Sequence, residues 1–207
     1  MTYLGYDVLV IDYNRMGSFE DRLDRKGVLL DGGTGKRTPD EQSPAPASER
    51  PFIWTAFGRS AIAELRDFLD ARVGCAVPFW IPTLQRDLSL AEDVDKDDSI
   101  VSVNWVRYVE QMYGTTGARR HLALWRLGDI SALDCYMVTD ANDPGDKVTE
   151  SLTIDPVAVR DYPMTETVIS FLRLCRLEED RVEISYPSGN VAEAVIPVRD
   201  LPMEAPA

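Results

Sequence analysis

Two-residue alternation governs most apolar positions of the chain, and one stretch alone keeps helical spacing. Ile62, Leu65, Leu69 and Val73 fall on one helical face with Phe68 beside them, while Glu64, Arg66, Asp67, Asp70 and Arg72 lie elsewhere. The spacing predicts an α-helix over about 60–73. Ser60 is placed to cap its start, although no Glu or Gln stands three residues on to complete a capping box. Gly74 follows where a left-handed residue ends a helix.

The remaining pattern is β. Tyr6 to Tyr13 reads as a strand with both faces partly covered, and Lys26 to Leu30 as a second. Between Asp31 and Arg50 the chain is rich in Gly, Pro, Ser and charge with no periodic apolar face, so a long loop over 31–50 is expected. Strands are then expected at Pro51 to Phe57, Phe79 to Ile81, Asp87 to Leu90, Ile100 to Val103, Val106 to Met112, His121 to Leu127, Cys135 to Thr139 and Lys147 to Ile154. Val168 to Leu177, Arg181 to Tyr186 and Val191 to Val198 form a meander, with turns at Glu178-Glu179-Asp180 and Pro187 to Asn190. Short strands between turn residues predict a mainly β fold, a β-sandwich or barrel with one packed helix and long loops. A single domain over 1–200 is expected, with 201–207 as a C-terminal tail.

Charge changes the picture by exclusion. Twenty-two basic against 35 acidic residues leave a formal charge of −13. Such a surface has no broad patch to neutralise phosphates, so DNA is repelled rather than gripped. Three widely spaced cysteines, Cys75, Cys135 and Cys175, fit a reduced, cytosolic site of synthesis rather than a disulfide framework. Asp7 and Asp12 interrupt the short apolar run near the start, so neither a secretory signal nor a membrane span is expected.

Candidate chemistry narrows further. Gly32-Gly33-Thr34-Gly35-Lys36 has the composition of a phosphate loop. Leu30 stands where its first glycine belongs, Arg37 replaces the Ser or Thr after the lysine, and Pro39 opposes the following helix. Asp93, Asp95 and Asp97 alternate like calcium ligands. Asp98 sits at the glycine position and Asn104 at that of the bidentate Glu, so the segment reads as a solvated turn, as does Asp140 to Asp146. With His121 as the one histidine there is no multi-histidine zinc site, and at the head of the apolar stretch HLALW it reads as a strand-edge residue. No nucleophile motif occurs, and no carboxylate pair stands out among 35 acids. No catalytic residue, metal or cofactor is assigned. Phe79 and Trp80, with Trp54, Trp105 and Trp125, fill a β core or offer a sugar-stacking platform. Pro78 and Pro82 remove two ladder donors around Trp80, which predicts an edge or chain corner, covered when a second subunit meets it.

The run from Ala61 through Gly74, the segment Val77-PFWIPT-Thr83 and the following Asp87-Leu88 resemble part of the tail-tip proteins of long-tailed phages and prophages. Leu172-RLCRLEEDRVEISY and Val191-AEAVIPVRDLP resemble the end of the same proteins, and the loop bearing Asp31-GGTGK is a further element. Together these cover about a third of the chain. The likeness is to the distal tail protein and its relatives in gene transfer agents. It implies a virion structural protein without enzymatic activity: a ring, most often of six copies, at the baseplate end of the tail. Its partners would be itself, the tail tube protein, the baseplate hub and the tape-measure protein, with DNA passing through the ring unbound and no membrane contact. A closed ring needs a heterologous interface, and Phe79, Trp80, Pro82, Lys36 and Arg37 are the residues expected there. Two other readings stay open, a glycan- or receptor-binding β-sandwich and a carboxylate-dependent hydrolase.

Overall fold

The structure, a computed structural model, describes residues 1–10, 22–24, 27–31, 37–41, 47–114, 117–202 and 204. It is mainly β, with half of its residues in antiparallel strands and one short packed helix. In chain order the elements are β1 (Thr2–Tyr3), β2 (Tyr6–Asp7), β3 (Arg22–Asp24), β4 (Gly27–Asp31), β5 (Arg37–Glu41), β6 (Ala47–Phe57) and α1 (Gly58–Ala71). Then follow β7 (Phe79–Pro82), β8 (Ile100–Asn104), a π-helical turn (Val109–Tyr113), β9 (His121–Arg126) and β10 (Asp129–Asn142). The chain continues through β11 (Thr149–Asp155), β12 (Thr167–Leu177), β13 (Ile184–Ser188) and β14 (Val191–Asp200). It divides into two compact units.

The first unit comprises Met1–Asp12, Pro78–Cys175 and Met203–Ala207. Its strands run β12, β9, β10, β11, β8 across an antiparallel sheet, with β7 pairing the later part of β12. Alternation decides which residues enter the core. In β11 the inward positions are Glu150, Leu152 and Ile154, and in β8 they are Val101 and Val103. Leu152, Ile154, Val101 and Val103 join Leu122, Leu124, Tyr136, Tyr162 and Ile169 in one apolar cluster. The stretch expected as a strand at Asp87 to Leu90 instead makes single bridges, Leu88 to Ile169 and Leu90 to Val103. It is pinned from below by Asp87, whose carboxylate accepts the Phe171 N–H at 2.8 Å and the Thr83 hydroxyl.

The second unit comprises Tyr13–Val77 and Arg176–Pro202. Here β14 pairs β6 over nine residues, from Val191–Phe57 to Arg199–Glu49, β13 pairs β14, and β3 pairs the start of β6. Helix α1 lies against this strand pair. Leu65 is fully buried and Phe68 meets Trp54 edge-on at 5.8 Å. The helix begins two residues before the expected Ser60. Gly58 takes φ +86 and donates its N–H to Asn190 O, and that sharp turn out of β6 launches the helix with Phe57 at its cap position. It ends at Ala71 rather than residue 73, because Val73 and Gly74 both turn left-handed.

Two more expectations are corrected. Part of the span read as a loop over 31–50 is strand: Arg37–Glu41 pairs Gly27–Asp31 residue for residue, and β6 starts at Ala47. Pro39 stands opposite Leu29 in that two-stranded ladder, where, among the described residues, each strand has one neighbour and a donor can be lacking on the other side. Val106 to Met112, expected as a strand, coils instead into the turn at Val109–Tyr113, for a reason supplied by Glu150. The expected strand over Tyr6 to Tyr13 is reduced to β2 and a bridge from Val8 to Trp80, and its last residues lie outside those described.

Candidate functional site

The PFWIPT segment folds inward. Phe79 and Trp80 are both 0% exposed, and Ile81 and Pro82 are buried as well. One side of β7 pairs β12, Trp80 opposite Leu174. On its other side the N-terminal segment closes the ladder, with Leu9 N–H donating to Trp80 O at 2.8 Å. The indole Nε1–H of Trp80 donates to the carbonyl of Tyr3. Its ring lies 4.6 Å from that of His121 and 5.3 Å from that of Tyr3. The two prolines do mark a corner, but residues of the same chain cover it. Phe79, Trp80 and Pro82 therefore offer no outward aromatic face to a neighbouring subunit. Of the other two residues expected at that interface, Lys36 lies outside the described residues and Arg37 pairs Asp31 at the end of β5.

His121 is buried rather than at a strand edge. Its Nδ1 lies 3.0 Å from the Tyr3 hydroxyl. Burial pushes the Tyr3 hydroxyl well above the ordinary phenol range, so it stays protonated and able to donate. Burial, followed by the charge of Asp134, likewise raises the Cys135 thiol to about 12. Neither group is poised as a nucleophile or base.

Glu150 is the buried acid that the sequence reading missed. Its Oε2 accepts the N–H groups of Val106 and Tyr108, each at 3.0 Å, and its Oε1 accepts that of Val109 at 2.9 Å. These are the donors that a helical turn leaves unpaired at its start, so the carboxylate closes the turn at Val109–Tyr113. The available signal was its phase: Glu150 alternates with Leu152 and Ile154 and so points into the core. A second polar group sits on β10. Tyr162 donates its hydroxyl to Asp134 at 2.6 Å and lies 2.8 Å from the Tyr136 hydroxyl, and Arg160 pairs the same carboxylate at 2.7 Å. Desolvation first, then the bond to Asp134, drives the Tyr162 phenol upward. In both clusters every polar atom named faces a partner, which is the arrangement of a scaffold.

The acidic segments behave as turns. Asp93 accepts Met164 N–H, Asp98 accepts Asp95 N–H, and Asp161 accepts Lys96 N–H. In the other segment Asp143 accepts Gly145 N–H and Asp146 accepts those of Val148 and Thr149. Among the described residues no group of three or more His, Cys, Asp or Glu is placed to hold a metal ion. No helix among them is long and apolar enough to cross a membrane. The indoles of Trp54, Trp80 and Trp125 are buried, and only Trp105, bonded through Nε1 to Asp143, is partly open to solvent, so the tryptophans form no shared stacking platform.

One surface stands out, on β6 and β14. The inward residues Phe52, Trp54, Ala56, Ala192, Ala194 and Ile196 are buried, and the outward ones include Ile53, Phe57 and Val195, all exposed. In the sequence this is visible from Phe52 to Phe57, where Thr55 alone is polar, whereas a strand solvated on one face alternates. Comparison with protein-family models and with curated proteins finds no match to this chain.

Proposed function

We propose that the protein is a structural component of a phage tail tip, a ring that joins the tail tube to the baseplate hub around the DNA channel and has no chemistry of its own. The observation that supports this reading is the mainly β fold with one packed helix, the fold class that the tail-tip resemblance implies. The motif residues act as architecture. Trp80 and Asp87 each tie separate stretches of backbone together, which suits a protein whose task is to hold a shape under load. The formal charge of −13 per copy suits a wall past which DNA slides without adhering.

The ring adds partners of three kinds, further copies of this chain, the tube protein above and the hub below. Negative-stain imaging of the purified chain, alone and with tube and hub proteins, tests it. Closed rings, alone or on the end of tubes, are expected. A chain that stays single in every mixture and binds glycans on an array would replace this reading with the glycan-binding one.

A further inference from the structure

We draw no further inference here: the strongest candidate, the exposed apolar row of Ile53, Phe57 and Val195 on the outward face of the β6–β14 pair, is an unpartnered face, and nothing in the structure shows what covers it.

Discussion

The indole Nε1–H of Trp80 donates to the main-chain carbonyl of Tyr3 at 2.9 Å, across 77 residues of sequence. That bond fastens the first strand of the chain to the segment that looked, from its prolines, like an open corner. Replacing Trp80 with Ala should lower the unfolding free energy by about 3–5 kcal/mol, through lost packing and a cavity beside His121. Phe keeps most of the ring and loses the donor, so about 1–2 kcal/mol is expected. Urea unfolding followed by circular dichroism measures both, and a Phe variant as stable as the wild type would mean that the hydrogen bond contributes nothing.

Glu150 holds three backbone amides. Glu150→Ala leaves all three buried or half-buried donors without their acceptor, and should cost about 3 kcal/mol or more. Glu150→Gln retains one acceptor oxygen and turns an NH2 toward the remaining amide, so its loss should fall between wild type and Ala. The same unfolding experiment ranks them.

Gly74 sits at φ +64, and a Cβ there would lie 2.4 Å from Asp180 Oδ1. Gly74→Ala should therefore destabilise by about 1–3 kcal/mol. Repeating the substitution in an Asp180→Ala background removes the clash and leaves the backbone strain. The difference between the two measured losses is the steric part.

Cys75 is exposed, and its N–H donates to Asp180 Oδ1 at 2.9 Å. Hydrogen bonding to Asp180 and the charge of that carboxylate hold the thiol above its usual range, despite its open position. Alkylation by iodoacetamide near pH 8 should be slower than for a free thiol and should speed up roughly several-fold in Asp180→Asn. Cys135 and Cys175 are buried and should react only on unfolding. An unchanged rate in Asp180→Asn would show that the carboxylate does not control the thiol.

Tyr3, Tyr108 and Tyr162 are all raised above the phenol value of 10.0, chiefly by burial. Each therefore favours the folded state fully below about pH 10, and that contribution is lost as pH rises toward the folded-state values. Stability should fall above pH 10. The absorbance titration at about 295 nm should show these three ionising only as the protein unfolds. A single smooth titration of all tyrosines in the folded protein would contradict this.

Alternation carried the sequence reading wherever both neighbours of a strand were in place. Ile100 to Val103, His121 to Leu127, Lys147 to Ile154, Val168 to Leu177 and Val191 to Val198 all match strands to within a few residues. What failed was set by residues distant in sequence. The turn at Val109–Tyr113 forms because Glu150, some forty residues on, supplies its acceptors, and no pattern within Val106 to Met112 carries that information. The helix start moved because Asn190 O, just before the neighbouring strand β14, accepts Gly58 N–H. Prolines at 78 and 82 correctly signalled missing donors, but local sequence could not say that Val8 and Leu9 would close the gap. The outward apolar row at Ile53 and Phe57 was legible as composition. Which residues of β14 share its face, Val195 and Glu193, follows only from the register.

Trp80 lies against the chain's one imidazole, within a shell made partly by the first residues of the polypeptide. Its emission therefore reports on whether the chain's beginning is seated: a fluorescence change restricted to Trp80 would mark release of the Tyr3 strand before the rest of the protein opens. Single-tryptophan variants would turn that one indole into an optical gauge of the N-terminus.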